Sequence, residues 1–166
     1  MRLYVVRHGI AIDRADPACP PDPDRYLTDE GVEKTAAAAQ GLASLIDDGP
    51  EIWTSPFVRA RQTAELLAGA LGSDPGDVVE TDALRPERDP AELFRAVEDA
   101  KHDAVLCVGH APNLDWVVGY ALTGRIVDCL HLKKAGAACL ELPRRRREGG
   151  ALVWMLPPKV LRRLGA

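Results

Sequence analysis

Two short, continuously apolar runs each stop at a glycine and a histidine. Leu3-Tyr4-Val5-Val6 leads into Arg7-His8-Gly9, and Ala104-Val105-Leu106-Cys107-Val108 leads into Gly109-His110. Runs this short, rich in β-branched side chains and without polar alternation, suit strands buried on both faces, as in a parallel sheet covered by helices. The intervening sequence agrees. Residues 51–54 read as a second strand and 78–81 as a weaker one. Helices are expected from Thr28-Asp29-Glu30-Gly31 to about residue 46, over 57–71, from Pro90 to about 100, and over 113–122. Residues 137–142 and 152–156 read as two strands joined by a polar turn, and 159–164 as a terminal helix. This alternation predicts a three-layer α/β/α sandwich with a mainly parallel central sheet and antiparallel strands near the C-terminus. The 166 residues hold no linker, repeat or low-complexity tract that divides them, so a single domain over 1–166 is expected.

Charge and composition narrow the function classes. A formal charge of -4 gives no bulk attraction for nucleic acid or an anionic membrane. The four arginines at 144–147 lack interleaved aromatics and read as a solvated turn rather than a nucleic-acid patch. No apolar run approaches the ~20 residues of a membrane span, and the chain opens on a strand instead of a signal peptide, so a cytoplasmic location is the expectation. Cys19, Cys107, Cys129 and Cys139 show no Cys-x-x-Cys pairing, and three of the four sit among apolar residues as small buried side chains. No His, Cys and Asp cluster has metal-ligand spacing, so neither a metal nor another cofactor is expected.

In open parallel sheets, ligands gather beyond the C-terminal ends of the strands, where helix N-termini point inward. Arg7 and His8 follow the first strand, Ser55-Pro56 follows the second and leads to Arg59 on a helix's first turn, and His110 follows the fourth. Each is ordinary singly: a histidine after a strand is usually structural, and an arginine on a helix is usually a surface charge. Together they offer two fixed guanidinium charges and two imidazoles, which suit a phosphoryl group, because a guanidinium fork holds two of its oxygens at once. Neighbouring guanidiniums keep an imidazole neutral and able to attack phosphorus, so His8 is the candidate nucleophile. Gly9 would let substrate approach without a Cβ in the way. His110 would donate to the same oxygens as charge grows in the transition state. The proline-rich, acidic residues 13–24 are either a lid or docking surface beside this pocket or an inert connection.

These residues resemble a known family. Leu3-Tyr4-Val5-Val6-Arg7-His8-Gly9, Ser55-Pro56-Phe57-Val58-Arg59-Ala60-Arg61-Gln62-Thr63-Ala64 and Gly109-His110 resemble, in order, three motifs of the histidine phosphatase superfamily, whose fold is phosphoglycerate mutase-like. Within it the chain looks most like the small SixA-type phosphohistidine phosphatases, through Ile10-Ala11, Leu27-Thr28, Leu132-Lys133-Lys134-Ala135-Gly136 and the tail with Pro158-Lys159. The resemblance covers nearly the whole chain. It implies that His8 is the phosphorylated nucleophile and that Arg7, Arg59 and His110 bind the phosphoryl group, with Gly9 beside them. Three departures matter. Ile10, Ala11 and Ile12 stand at the start of the stretch where relatives carry Ser or Thr and then Asn, and Pro86 stands where many relatives carry a glutamate proton donor. Ala111 also replaces the aspartate that follows the second histidine in the acid phosphatase branch.

The absent donor bears on the bond to be broken. An alkyl phosphate expels an alkoxide and gains about 10²- to 10⁴-fold from a general acid, whereas a phosphohistidine expels an easily protonated imidazole. Glu87 and Asp89, just beyond Pro86, are the remaining candidate donors, though a surface charge at a turn is the commoner role for such residues. The expectation is a two-step phosphatase acting on phosphohistidine of a protein such as a histidine-containing phosphotransfer domain. The alternatives are a small-molecule phosphomonoesterase and a non-catalytic phospho-ligand binding module; a mutase would need a closed site and the usual acid.

Overall fold

A computed structural model describes residues 1–128, 130–143 and 149–166. The arginine run at 144–147 and Cys129 lie outside them. The sheet has six strands in the order β3-β2-β4-β1-β5-β6, formed by β1 (Arg2–Arg7), β2 (Glu51–Thr54), β3 (Val79–Glu80), β4 (Ala104–Gly109), β5 (Ala137–Glu141) and β6 (Ala151–Leu156). β1, β2, β3 and β4 are mutually parallel, β5 runs antiparallel to β1, and β6 antiparallel to β5. The expected mainly parallel sheet with an antiparallel C-terminal pair is therefore present.

The helices are α1 (Asp29–Ala43), α2 (Val58–Leu71), α3 (Pro90–Glu98), α4 (Asn113–Thr123) and α5 (Pro158–Leu164). Side chains alternate across a strand, so the continuous apolar runs feed two cores. Leu3, Val5, Val105 and Cys107 pack with Leu93, Phe94 and Val97 of α3 and Leu114, Val117 and Val118 of α4. Tyr4, Val6, Leu106 and Val108 face the other way, onto Ala38, Ala39 and Leu42 of α1, Ala60, Ala64 and Leu67 of α2, and Leu161 of α5. Three layers follow, and each fully buried Val or Leu contributes about 1.5–3 kcal/mol. The alanines let the second helix layer lie close. At Gly41 of α1 a Cβ would come within 1.8 Å of the Leu161 carbonyl oxygen, so only glycine admits this approach of α5.

Thr28 caps α1 as expected, its Oγ1 accepting from the Gly31 N–H at 3.0 Å. The helix nevertheless ends at Ala43 instead of about 46: Leu45 and Ile46 donate back only three residues, tightening the last turn before β2. β3 is shorter than its sequence implies, two residues at the sheet's edge, because Pro75–Asp77 and Asp82–Leu84 close into 3₁₀ turns on either side. Among the described residues no helix is long and apolar enough to cross a membrane.

Candidate active site

Parallel pairing of β1 with β4 sets Arg7 opposite Gly109 and carries the following residues, His8 and His110, to one end of the sheet. The His8 N–H donates to the Gly109 carbonyl at 2.9 Å, and the two imidazole centroids lie 5.0 Å apart. Arg59 reaches the same place from the first turn of α2, with its Nε donating to His8 Nε2 at 3.2 Å. The residues predicted separately at three strand ends are thus in direct contact.

The hydrogen bonds of His8 assign its protons. Nδ1 lies 2.7 Å from the Gly9 carbonyl oxygen, which can only accept, and Nε2 receives the Arg59 Nε–H, so Nδ1 carries the proton and Nε2 the lone pair. His8 is 7 % exposed and His110 2 %. Burial, reinforced by the charges of Arg59, Arg7 and Lys134, lowers His8 to about 3 despite the Gly9 hydrogen bond. Burial likewise lowers His110 to about 2, helped by His8, Arg59 and Arg7. Both rings are therefore neutral near pH 7, and Nε2 of His8 carries a lone pair with no proton to lose first.

The same shifts set a pH dependence of stability. Between the folded values and the unfolded pKa of about 6.5, the unfolded chain binds protons that the folded chain refuses, so stability rises with pH there. It is full above about 6.5 and lost on acidification below it, at up to about 1.4 kcal/mol per pH unit for each histidine. Urea midpoints are expected to fall from pH 6.5 to 5, and His8→Gln or His110→Gln should each reduce that slope.

Arg7 is held by backbone. Its NH1 donates to the Leu132 carbonyl at 2.8 Å, and the Leu132 N–H in turn donates to Oδ1 of buried Asp115 at 2.8 Å. The Arg7 carbonyl accepts from Ala135, and its N–H donates to the Gly136 carbonyl. The stretch from Leu132 to Gly136 thus cradles Arg7, leaving its buried Nε without a partner among the described residues.

Gly9 also makes room for α1. A Cβ there would meet Thr35 Oγ1 of α1 at 2.1 Å, so any larger residue would force Thr35 to shift. The Gly9 N–H donates to Thr63 Oγ1 at 3.1 Å and its carbonyl accepts from His8, so both backbone groups serve to orient the loop. Asp89 accepts from the Ala91 N–H at 2.9 Å as the N-cap of α3, and Glu87 is exposed on the same turn. Neither candidate donor has a hydrogen bond or ion pair with the four pocket residues.

A carboxylate from the 13–24 stretch, which lies beside the pocket, does. Asp22, in the proline-rich stretch, puts its carbonyl 2.6 Å from Arg59 NH1 and its Oδ2 3.2 Å from NH2. Nε and NH2 of an arginine form one side of its fork, so Asp22 Oδ2 and His8 Nε2 share the edge on which two phosphoryl oxygens would lie. Burial pushes the Asp22 carboxyl up, but the Arg25 hydrogen bond, the charge and hydrogen bond of Arg59 and the Arg14 hydrogen bond outweigh it, leaving a pKa of about 2. Asp22 is therefore ionised near neutrality and competes with an incoming anion for Arg59. Asp22→Asn is expected to tighten orthophosphate binding about three- to tenfold, as judged by calorimetric titration.

An uncharacterized protein of Picosynechococcus sp. is 44 % identical to this chain over 142 residues, covering 82 % of each chain. A solved structure of the protein histidine phosphatase SixA, complexed with tungstate, superposes with a TM-score of 0.82 at 24 % identity, covering 97 % of this chain and 99 % of that one. A candidate phosphohistidine phosphatase SixA from Agrobacterium tumefaciens gives 0.72 at 24 % identity, covering 95 % and 97 %. At such identities the two structures establish the fold. The pattern of the histidine phosphatase superfamily (branch 1) matches residues 3–92, which span both Arg7-His8-Gly9 and the segment around Arg59; the chain belongs to that superfamily.

Proposed function

We propose that this phosphatase hydrolyses phosphohistidine, taking the phosphoryl group onto His8 Nε2. The observation that carries the reading is the state of the pocket's carboxylate: Asp22 contacts Arg59 but is held ionised, so it offers no proton to an alkoxide. A phosphohistidine asks for none. His8 Nε2 attacks phosphorus in line, the substrate's P–N bond breaks, and its electron pair stays on the leaving nitrogen. A substrate ring protonated on its other nitrogen thereby departs as neutral imidazole. His8, phosphorylated on Nε2 and protonated on Nδ1, is now cationic, a charge that the Gly9 carbonyl stabilises. Water then attacks phosphorus, the P–Nε2 bond breaks, and the pair returns to Nε2, restoring the starting tautomer; the proton from water leaves with phosphate or solvent. In both steps Arg7, Arg59 and His110 hold the equatorial oxygens.

The partner that fits is a protein presenting phosphohistidine, such as a histidine-containing phosphotransfer domain. Comparing kcat/KM for that domain with a panel of alkyl phosphates, including phosphoserine and sugar phosphates, tests the reading. A preference of at least about 100-fold for the P–N substrate is expected, the factor a missing acid costs the esters. Preference for an alkyl phosphate would sink it in favour of a phosphomonoesterase, and tight binding without turnover would point to a binding module.

A further inference from the structure

His110 commits one of its two ring nitrogens to the protein. Nε2 lies 2.9 Å from Ser55 Oγ, whereas Nδ1 is buried with no hydrogen-bond partner among the described residues. Ser55, fully buried just beyond β2, already accepts the Phe57 N–H at 3.3 Å on its Oγ. Its hydroxyl has a single proton to give, and His110 Nε2 is the ring nitrogen within hydrogen-bond distance of it. The reverse arrangement, with Nε2–H donating to Oγ, would strand that hydroxyl proton in a buried site and present a lone pair of Nδ1 to an anion.

We propose that Ser55 is a positioning residue: its hydroxyl donates to His110 Nε2 and so fixes the tautomer whose Nδ1–H remains to donate to the phosphoryl group. The two histidines then share one tautomer with opposite uses. His8 ties Nδ1–H to the Gly9 carbonyl and exposes the Nε2 lone pair as nucleophile; His110 ties Nε2 to Ser55 and keeps Nδ1–H as donor. The edge of Phe57 against the His110 ring, with centroids 5.1 Å apart, helps to hold the ring plane. The catalytic consequence rests on the phosphatase reading, but the tautomer does not.

Long-range ¹H–¹⁵N correlation spectra of the ¹⁵N-histidine-labelled protein distinguish protonated from unprotonated ring nitrogens, with His110 assigned through His110→Gln. In the unaltered protein near pH 7, His110 is expected to carry its proton on Nδ1. In Ser55→Ala the Nε2–H form should appear, and kcat on a substrate that turns over should fall about ten- to a hundredfold, with KM changed less and the urea midpoint largely kept. Ser55→Thr, which retains a hydroxyl, should restore both tautomer and rate. An Nε2–H His110 in the unaltered protein overturns the proposal, whether or not the alanine variant folds, and so does a Ser55→Ala protein with unchanged tautomer and kcat. Failure of the unaltered protein to hydrolyse any phosphate substrate would contradict the phosphatase reading, and the spectra would still decide the role of Ser55.

Discussion

His8→Ala is expected to lower kcat by at least about 10⁴-fold and to leave no covalent phospho-enzyme. The size follows from how much the reaction asks of Nε2. In the proposed reaction it supplies the attacking electron pair in the first step and is the leaving group in the second, and the other imidazole cannot readily replace it because His110 Nε2 is engaged by Ser55. Arg7, Arg59 and His110 remain, so residual water attack on a bound phosphoryl group accounts for whatever turnover persists. The fold should survive, since the backbone bond from His8 N–H to the Gly109 carbonyl does not depend on the side chain. Rapid-quench kinetics with phosphorylated substrate, alongside orthophosphate binding, separate lost chemistry from lost binding.

Arg59→Ala should cost about 10³-fold in kcat/KM, with Arg59→Lys retaining the charge but losing the fork and falling between. Arg59 is 2 % exposed, and its three nitrogens reach both His8 and Asp22. Its removal has opposing local effects. The Nε–H no longer occupies the His8 lone pair, and one cation that depresses the His8 pKa is gone, both of which favour a more basic nucleophile. Against that stands the loss of the guanidinium that spreads phosphoryl charge in a buried site, where a single well-aimed donor is worth about 10²- to 10³-fold. The second effect is larger, so the variant is slow despite its freer imidazole. Orthophosphate affinity measured in both variants distinguishes the fork from the charge.

The parts of this site legible in the sequence are those set by strand ends. A buried run that stops at a polar residue places that residue on the ligand-binding edge of a parallel sheet, and this located Arg7, His8 and His110 without coordinates; Arg59 followed because a helix starting beyond β2 must point its first turn at the same edge. What the sequence hid lacks such periodicity. Asp22 comes from a proline-rich stretch with no repeating pattern, and its register against Arg59 depends on how 13–26 folds back, including the hydrogen bonds from Arg25 to the Ile12 carbonyl. The hold on Arg7 is a carbonyl, Leu132, and main-chain groups leave no mark on residue identity. Gly9 was conspicuous beside His8, but the room it makes for Thr35 of α1 depends on a packing that the sequence does not mark. Ser55 was visible beside a proline after a strand, yet its bond to His110 requires knowing that β2 and β4 are adjacent, with Thr54 level with Val108.

The covalent step is the centre of the account, and one measurement addresses it most directly. The protein is mixed with a phosphorylated phosphotransfer domain in excess, quenched in alkali within the first turnover, and the phosphoryl group is mapped by mass spectrometry and ³¹P NMR. Phosphate on His8, bonded to Nε2, is the predicted result. Phosphate on any other residue, or full turnover with His8 unmodified at every quench time, would contradict it.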